Sequence, residues 1–507
     1  MQNALRSICI VGGGTAGWMA ATLLCTVLRG SGIKLTLVES ADIASIGVGE
    51  STVPSIMDFI QASQINLKDL IQATSASFKL GIRFADWSVP GEEFFHPFGR
   101  TGKDINGFDF YQAWLKSLAD GQDSNWLDYS PAATMAEQQR FMLRPQHPNN
   151  WVQASYAHAL HLDAIQLARF LRQLCLTRGV NRIEATVKEV IVDQRSFIQS
   201  LTLDDGSNLS SDFFIDCTGF KGLLIEQALQ VGYQDWSHYL PCNRAVTIQT
   251  ENQAPPVPYT VATARQAGWS WAIPLQHRTG NGYVYASQFC SDEEAIDTLL
   301  STVTGKVLNQ PSVIPFVTGK RNKIWQRNCL ALGLAGGFLE PLESTAIHLV
   351  YKTLVHFIQH FPDRDFDQDV QDGFNLKIDQ DYQEIRDFII LHYCTSKRQD
   401  STLWRWCQDM PVPETLASKI ALFKQRGQIP HSSGQFFSCD SWYAILEGVK
   451  IRPNKYHPLL DAFNRQDLVR LLDENRQQIR AEVQKMPSHH DYLQTHCPAR
   501  RQTSGKG

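Results

Sequence analysis

The chain has 507 residues, of which 43% are apolar and 19% charged, the composition of a soluble globular protein with room for more than one domain. Its net charge of -4 and pI near 6.4 provide no positive field for a nucleic-acid backbone, which excludes nucleic acid as a partner. The 11 cysteines include no CxxC pair, which predicts no metal site and the reduced thiols of a cytoplasmic protein.

The first feature in chain order is a mostly apolar stretch over residues 8–28, which follows Arg6 as the core of a signal peptide would. Glycines between residues 12 and 17 interrupt the stretch, and no convincing cleavage site follows it. No other segment has the uninterrupted apolar length of a membrane span, so we expect no membrane partner. A strand, a turn and a helix account better for this segment.

The N-terminal pattern predicts the β-α-β unit of a dinucleotide-binding fold. Residues 6–11 are typical of a buried strand, 17–29 of a buried helix, and 33–38 of a second strand that ends at Glu39. This order of elements indicates the α/β class.

The turn between strand and helix is a GxGxxG, in which the first glycine permits the tight turn and the second lets a pyrophosphate approach the backbone. The third glycine lets the helix pack closely on the strand, and the helix start offers free N–H groups to phosphates. A carboxylate at the end of the second strand can accept bonds from ribose hydroxyls. A purely structural turn is the alternative, and the motif does not separate FAD from NAD. The predicted cofactor contacts here are Gly12, Gly14, Thr15, Ala16, Gly17 and Glu39.

Periodicity and turn residues predict the remaining elements. We expect helix over most of 56–82, an irregular aromatic region over 86–110, and an amphipathic helix over 162–178. Further predicted elements are strands near 183–192, 197–203, 212–216, 243–249, 282–290 and 328–335, a helix over 345–360, and mainly helices from about residue 365 onward.

No repeat, low-complexity tract or Pro/Ser linker divides the sequence, so we expect interleaved domains rather than a string of them. The predicted division is a cofactor-binding core over 1–365, a helical substrate-covering region over 366–490, and a flexible tail over 491–507. The core combines the dinucleotide-binding fold with an interleaved substrate sheet.

Two later segments resemble cofactor contacts of FAD-dependent monooxygenases. GVGEST at 47–52 resembles a Gly-rich contact beneath the cofactor and contains Gly49. DCTGFKG at 216–222 resembles the second Asp/Gly motif of that fold, which implies that Asp216 and Gly219 lie near the flavin ribityl chain. Each is alternatively a simple strand-end turn. Together with the first motif they favour FAD.

The segment GWSWAIP at 268–274 makes the resemblance specific. Trp269, Trp271, Ile273 and Pro274 spell WxWxIP, and the chain is similar to flavin-dependent halogenases, most closely the tryptophan halogenase branch, up to about residue 450. On an extended segment the two tryptophans face the same side. The resemblance implies that they separate flavin from organic substrate, so that halide is oxidised instead. A Trp pair filling a core is the alternative.

FKLGIRFADW at 78–87 resembles the halogenase segment that contains the active lysine, which implies that role for Lys79. A lysine among apolar residues is costly to bury without purpose. Its ammonium can hydrogen bond to hypohalous acid, or a neutral amine can form a haloamine, which needs a lowered pKa. A solvated lysine on a helix is the alternative.

GFLEPLESTAIHLV at 337–350 resembles the EPLEST stretch of the family, which implies that Glu343 is the catalytic carboxylate. It would orient the halogenating species or take the ring proton. We expect Ser344 or Thr345 to cap the following helix, whose N–H groups at Thr345 and Ala346 form a natural halide site. A plain capping acid is the alternative for Glu343.

Other assignments implied by the resemblance are weaker. Val187, Leu334 and Ile347 are implied flavin contacts, although each is an apolar residue that suits any core. FFHPFG at 94–99 resembles the segment that places aromatic walls against the substrate indole, with a satisfied loop histidine as the alternative. The implied substrate residues are His96, Phe98, Trp442 and Tyr443.

The sequence departs from the family pattern at two points. Halogenases that take free tryptophan carry adjacent tyrosines in a late loop, whereas this chain has Trp442 before Tyr443. This departure argues against free tryptophan and leaves an indole, a substituted tryptophan, a phenol or a larger natural product. The second departure is Ala346 in place of the usual glycine, which keeps the backbone donor.

The resemblance implies an enzyme that uses reduced FAD, oxygen and chloride or bromide to halogenate an electron-rich aromatic, indole-like or tryptophan-like substrate. No second nucleotide motif is present for NAD(P)H, which favours a separate NAD(P)H-dependent flavin reductase as partner. The composition leaves a homodimer open. The alternatives are a flavin-dependent aromatic hydroxylase, which needs neither Lys79 nor Glu343, and a non-catalytic flavin-binding protein.

Overall fold

A computed structural model describes residues 3–41, 49–431 and 434–500. The first two residues of GVGEST and the last seven residues of the predicted tail lie outside the described residues. Within the described ranges, no helix combines the length and apolar character needed to cross a bilayer.

The strands fall into five sheets, two of which form the body of the molecule. In chain order they are β1 Ser7–Val11, β2 Lys34–Glu39, β3 Gly49–Ser51, β4 Ser77–Lys79, β5 Gly81–Ala85, β6 Glu93–Pro97, β7 Ala159–Asp163, β8 Asn181–Glu184, β9 Val187–Val192, β10 Ile198–Leu203, β11 Asn208–Ser210, β12 Phe213–Asp216, β13 Tyr233–Asp235, β14 Arg244–Thr250, β15 Thr260–Arg265, β16 Gly268–Pro274, β17 Thr279–Tyr285, β18 Ser312–Pro315, β19 Gly319–Arg321, β20 Trp325–Gln326, β21 Cys329–Ala331 and β22 Gly337–Phe338.

The helices cover the two main sheets and make up most of the C-terminal part. They are α1 Thr15–Val27, α2 Ser55–Ala62, α3 Leu67–Thr74, α4 Phe110–Ala119, α5 Pro131–Glu137, α6 Trp151–Ser155, α7 Ala164–Thr177, α8 Asp292–Thr302, α9 Ala346–Gln359, α10 Gln368–Cys394, α11 Thr402–Asp409, α12 Glu414–Arg426, α13 Cys439–Gly448, α14 Arg465–Gln484 and α15 His489–His496. Short 3₁₀ turns at Gly333–Ala335 and Pro341–Glu343 precede α9.

The first main sheet confirms the predicted α/β dinucleotide-binding fold. Its strand order is β20-β21-β12-β1-β2-β8, and β1 pairs in parallel with β2 and with β12. Because parallel neighbours need a crossover, α1 connects β1 to β2 across one face of the sheet. The central strands are buried on both faces and therefore consist of continuous apolar runs such as SICIV.

The second main sheet has the order β18-β14-β17-β16-β15-β5-β6. GWSWAIP forms all of β16 and pairs antiparallel with β15 on one side and β17 on the other. The extended conformation expected for this motif is confirmed. Gly282 on β17 lies beneath the Trp271 indole, where an added Cβ would overlap the ring. This glycine lets the indole lie flat across the sheet.

A small third sheet, β3-β7-β4, joins the strand of Gly49 to the strand of Lys79. Its middle strand pairs antiparallel with both neighbours, Asp163 opposite Gly49 and Ala159 opposite Lys79. The predicted flavin contact and the predicted active lysine therefore lie on strands that share one partner.

Four predicted elements were wrong in their bounds. The helix expected over 56–82 ends at Thr74, where Ser75 adopts a left-handed conformation, and β4 and β5 follow. Residues 77–82 are buried, so their apolar run carries no period that separates helix from strand. The irregular region over 86–110 contains β6, because the aromatic residues there pack against β5. The strands expected at 282–290 and 328–335 run over 279–285 and 329–331.

The C-terminal part is helical from Gln368, as predicted from the periodicity. Residues predicted as tail include α15, whose Leu493 is buried. The predicted domain boundaries at 365 and 490 stay predictions.

The glycines of the GxGxxG have distinct steric surroundings. Gly12 has φ +115°, and an added Cβ there would overlap the Cys217 carbonyl. A Cβ on Gly17 would overlap the Gly12 carbonyl, whereas one on Gly14 would meet nothing within 4 Å. Gly12 and Gly17 thus allow the strand, turn and helix to pack, and Gly14 faces open space in which a phosphate fits.

We predict that Gly17→Ala and Gly14→Ala separate folding from cofactor binding. Gly17→Ala forces helix and turn apart and lowers the free energy of unfolding by at least about 1–3 kcal/mol, the usual cost of overpacking. Gly14→Ala leaves stability unchanged and weakens FAD binding, since its methyl group occupies the phosphate side of the turn. Urea unfolding and FAD titration measure the two effects. Unchanged FAD affinity in Gly14→Ala would contradict a phosphate site there.

Candidate active site

Lys79 ends β4 and is fully buried. Its Nζ donates to the Thr52 carbonyl oxygen at 3.0 Å and to Ser344 Oγ at 2.9 Å, and lies 5.0 Å from the centroid of the Phe98 ring. Burial lowers the pKa of Lys79 to about 7, although Glu343 opposes the shift. The alternative of a solvated lysine on a helix is therefore wrong.

Glu343 is the last residue of the 3₁₀ turn Pro341–Glu343 and is buried between two imidazoles. Its Oε2 lies 3.0 Å from His96 Nδ1, and its Oε1 lies 2.9 Å from His392 Nε2. Burial raises the pKa of this carboxyl, but His96 and His392 outweigh burial and lower it to about 2. The carboxylate is therefore ionised at neutral pH.

Ser344 connects these two groups through an unusual backbone conformation. Its φ of 61° is left-handed, which a residue with a Cβ rarely adopts and which turns the chain sharply after Glu343. The turn directs Ser344 Oγ to Lys79 while the Glu343 carboxylate faces His96. Lys79 and Glu343 are thereby brought together, on either side of one residue.

The expected side-chain cap of α9 was wrong. Thr345 is the N-cap residue but makes no side-chain cap, and the Ser344 hydroxyl is bonded to Lys79 instead. Thr345 Oγ1 is buried and has no hydrogen-bond partner among the described residues. α9 begins at Ala346, and the first N–H groups of a helix have no partner within it. The predicted halide residues thus form an N-terminal turn suited to an anion.

His96 contacts Glu343, and Phe98 lies beside Lys79. His96 is bonded to Glu343 through Nδ1, while its Nε2 is buried and without a partner among the described residues. The rings of His96 and Phe98 are 6.1 Å apart, near-perpendicular. His96 is therefore a partner of the carboxylate as well as a candidate wall.

A further aromatic wall was missed from the sequence. The ring centroid of Phe388 on α10 lies 5.8 Å from that of His96. Phe437 stacks on Phe388 with a centroid distance of 3.7 Å. Trp442 contacts Phe388 at 5.0 Å, but Tyr443 lies elsewhere, stacked on Tyr111. The structure brings Trp442 towards the site and leaves Tyr443 outside it. The adjacent phenylalanines at 436 and 437 were the signal available in the sequence.

The segment that carries Phe437 is fixed by one carboxylate. Glu384 on α10 accepts from the backbone N–H of Phe436 at 3.1 Å and from that of Phe437 at 3.0 Å. These charge-assisted bonds hold Phe437 over Phe388, whose ring contacts both His96 and His392.

The WxWxIP strand spans from the candidate flavin side to the Glu343 side. The ring centroids of Trp269 and Trp271 are 5.9 Å apart, and that of Trp269 is 6.4 Å from that of Trp87. The Trp87 ring in turn lies 6.0 Å from the His392 ring. At the other end Ile273 lies against Gly49. This position fits a barrier between two compartments.

Hydrogen bonds join the Lys79 strand to the WxWxIP strand. Ser77 Oγ donates to the Pro274 carbonyl oxygen and therefore accepts from Nδ1 of His161, 3.0 Å away. His161 Nε2 lies 2.9 Å from Thr260 Oγ1, which contacts Ser51 Oγ on β3 at 2.8 Å. Every member of this buried chain is satisfied, so it fixes β3, β4 and β16 relative to one another.

The dinucleotide side is assembled around the ends of β1, β2 and β12. Glu39 accepts from Arg182 Nε at 2.5 Å and from Trp18 Nε1 at 3.1 Å, which still leaves lone pairs for a ribose. Asp216 accepts from backbone N–H groups of Thr218, Leu224 and Ile225. Its carboxylate therefore organises the turn that contains Gly219.

The remaining predicted cofactor residues have apolar surroundings. Leu334 belongs to the 3₁₀ turn whose Gly333 contacts Ala16 at the start of α1, so this turn lies beside the phosphate cradle. Ile347 is buried on α9. Val187 begins β9 and is partly buried against a cluster of buried apolar residues that includes Val11 and Leu203. Their contact with a cofactor stays a prediction.

These features fit a flavin nucleotide. Gly14 faces open space at the start of α1, Glu39 keeps acceptor capacity for a ribose, and the turn around Gly333 closes the far side of the cradle. Beyond the WxWxIP strand, a buried lysine with a lowered pKa faces an ionised carboxylate. An oxygen-inserting flavoprotein needs neither group, so the fold and the site together define a flavin-dependent halogenase.

The chain belongs to the tryptophan halogenase family, whose family model matches residues 7–465. BrvH, a flavin-dependent halogenase from Brevundimonas sp. BAL3, has a TM-score of 0.93 at 43% identity, covering 97% of this chain and 99% of that one. Xcc4156, a flavin-dependent halogenase from Xanthomonas campestris, has a TM-score of 0.94 at 40% identity, with coverage of 98% and 99%. Tryptophan 6-halogenase SttH from Streptomyces toxytricini is 34% identical over an alignment of 522 positions, gaps included, which covers 96% of this chain and 97% of SttH.

We predict that Ser77→Ala impairs halogenation more than its effect on stability explains. Loss of this hydroxyl leaves the Pro274 carbonyl and His161 without their bonds, which costs about 1–3 kcal/mol of unfolding free energy. Ser117→Ala is the matched control, because that buried hydroxyl donates to the Trp114 carbonyl within α4, away from the site. Denaturant unfolding and product formation are compared. Equal activities at equal stabilities would contradict a link between the two strands.

Proposed function

We propose that Lys79 and Glu343 are the catalytic groups of a halogenase that uses FAD, supplied reduced, and chloride or bromide to halogenate an indole-like or tryptophan-like aromatic ring. The observation that supports this most is the arrangement about Ser344, which places a buried ammonium and an ionised carboxylate on either side of one residue. Two such groups meet the two demands of the reaction, activation of an electrophile and removal of a proton.

The residues proposed to hold FAD line the cradle and its neighbours. They are Gly12, Gly14, Thr15, Ala16, Gly17, Glu39, Gly49, Val187, Asp216, Gly219, Leu334 and Ile347. When bound, reduced FAD would supply two of the four electrons that reduce oxygen, and halide would supply the other two as it is oxidised to hypohalous acid. Halide is proposed to lie at the start of α9, near the N–H groups of Thr345 and Ala346, where the helix dipole favours an anion.

Lys79 is proposed to hold hypohalous acid. An ammonium has three donors, and Thr52 and Ser344 accept two of them, so one N–H is free for the oxygen of the acid. This bond withdraws charge from the oxygen and makes the halogen more electrophilic. The C–halogen bond forms as the O–halogen bond breaks, and the departing oxygen takes a proton from the Lys79 ammonium and leaves as water. The two tryptophans of β16 keep the organic substrate on the Lys79 side.

Glu343 is proposed to take the proton that the halogenated ring carbon loses. A carboxylate with a pKa of about 2 is a weak base, but a protonated aromatic ring is a far stronger acid. His96, Phe98 and Phe437 are proposed as the aromatic walls that hold the ring, with Trp442 behind them. The site therefore selects a flat, electron-rich substrate.

A separate NAD(P)H-dependent flavin reductase is the proposed partner, because the sequence offers one dinucleotide motif, which FAD occupies. This need for NAD(P)H supports a cytoplasmic setting.

We predict that Lys79→Met and Glu343→Gln each lower the halogenation rate by about 10²–10⁴-fold, the usual contribution of a positioned acid or base. Both substitutions keep side-chain size and remove the charge. The assay follows halogenated indole by mass spectrometry with FAD, a flavin reductase, NADH and bromide. FAD affinity is the control and stays as in the unchanged protein. Halogenation at an undiminished rate in either variant would remove that residue from the mechanism.

We predict that the halogenation rate falls as pH rises through about 7. The pKa of Lys79 is lowered by burial to about 7, so the donating ammonium is the main form below this pH and the neutral amine above it. Glu343 stays ionised over the same range. The measurement is the initial rate against pH with photochemically reduced FAD, so that no reductase limits it. A rate that rises with pH would indicate the haloamine route instead.

A further inference from the structure

His392 is a fully buried imidazole on α10 that none of the halogenase motifs contains. Its Nδ1 lies 2.8 Å from the carbonyl oxygen of Phe388, one helical turn earlier. A carbonyl oxygen only accepts, so Nδ1 must carry a hydrogen. If His392 were neutral, its other nitrogen, Nε2, would present a lone pair.

That other nitrogen faces the catalytic carboxylate. His392 Nε2 is 2.9 Å from Glu343 Oε1, an ion-pair distance, although the contact lacks standard hydrogen-bond geometry. Two lone pairs repel each other at this distance, so a proton resides on one of the two atoms. Two imidazoles flank this carboxylate, and together they lower the pKa of Glu343 to about 2, so the proton belongs on His392 and Glu343 is the anion.

The surroundings of His392 suit a cation. Phe84 lies 4.9 Å from the imidazole between ring centroids, Trp87 6.0 Å and Phe388 5.4 Å. These rings exclude water from the imidazole, and Glu343 supplies the opposite charge without which a buried imidazolium is costly.

We propose that His392 is a positioning residue that stays protonated, keeps Glu343 ionised and fixes its orientation towards the substrate ring. This inference rests on the proposed function of Glu343. In the step it supports, the ring C–H bond breaks, its electron pair restores aromaticity and the proton adds to Glu343. His392 keeps its own proton throughout, so it lowers the barrier through charge and geometry alone.

Two variants separate the charge of His392 from its structural bond. In His392→Asn the side-chain amide can still donate to the Phe388 carbonyl, as Nδ1 does, but no cation lies beside Glu343. In His392→Gln the longer amide can place a neutral N–H donor near Glu343 but carries no charge. If the role is only to hold α10, His392→Asn keeps full activity. If the role of His392 is its charge, both variants lose activity.

The decisive readout is a hydrogen isotope effect on the ring. The rates of bromination of indole and of ring-deuterated indole are compared. In the unchanged protein we expect loss of the ring proton to be fast and the two substrates to react equally. In His392→Asn we expect kcat to fall roughly 10- to 100-fold, less than the loss of the base itself, and the deuterated indole to react more slowly. KM stays within about twofold, because substrate contacts are unchanged.

The pH profile gives an independent readout. Burial raises the pKa of Glu343, and the two imidazoles lower it. His392→Asn removes one imidazole, so the pKa of Glu343 rises and the carboxylate takes up a proton at higher pH. Besides His392, the titratable groups that face Glu343 are His96 and Lys79, and both are present in the variant. We therefore expect the acid limb of kcat to move to higher pH while the alkaline limb stays.

His356→Asn is the matched control, since His356 pairs with Asp381 at 2.9 Å in another buried imidazole–carboxylate contact outside the site. It is expected to reduce stability without an isotope effect. A trap for free hypobromous acid reports whether halide oxidation is intact. An isotope effect and a shifted acid limb in His392→Asn support the proposal, and their absence overturns it. If the unchanged protein brominates no aromatic compound, or Glu343→Gln is fully active, the proposed function fails instead.

Discussion

The sharp turn at Ser344 is the constraint on which the rest of the site depends. A residue with a side chain adopts a left-handed backbone at a cost of about 1–2 kcal/mol, and here the conformation is held by bonds from outside the turn. Lys79 donates to the Ser344 hydroxyl, and the imidazoles fix the preceding carboxylate. A relaxed backbone at this residue would separate the two charged groups and would move the start of α9.

The site contains several charges from which water is excluded, and each has partners on a different element. Lys79 on β4 depends on Thr52 and Ser344, and Glu343 depends on His96 from β6 and His392 from α10. Buried ions of this kind are costly unless they are paired and hydrogen bonded. Because the partners come from the small third sheet, the second main sheet, the turn before α9 and the helical part, the site forms only when these elements are assembled. The site is thus a product of tertiary structure.

Much of the fold followed from the sequence because local rules and tertiary packing agree there. The glycines of the cradle, the apolar strand before them and the acid after β2 predicted the β-α-β unit, and the steric surroundings of Gly12 and Gly17 explain why no other residue fits. The bounds failed over residues 77–82, where burial on all sides removes any period. The Lys79 strand was therefore predicted as a helix.

The candidate site was only partly predictable, for a similar reason. The resemblance to halogenase motifs indicated Lys79, Glu343 and Trp269, whereas His392 lies on a long helix whose pattern looks ordinary. The hydroxyl of Ser344 was predicted to cap α9 because its position suggested that role, and only the left-handed turn shows that it faces the lysine. Chemistry that depends on contacts across the fold leaves no periodic trace in the chain.

The attachment of residues 434–437 to Glu384 has a consequence for the breadth of compounds that the pocket accepts. In the proposed substrate pocket, a guest that displaces Phe437 must first detach two backbone amides from an anion, a gross loss of about 3–6 kcal/mol. The size of the accepted guest would thus depend on Glu384, an acid of α10 that holds the backbone of this segment. Laboratory evolution towards bulkier substrates should accordingly gain activity first from substitutions of Glu384. Substitutions of the aromatic side chains that touch the guest should help only afterwards.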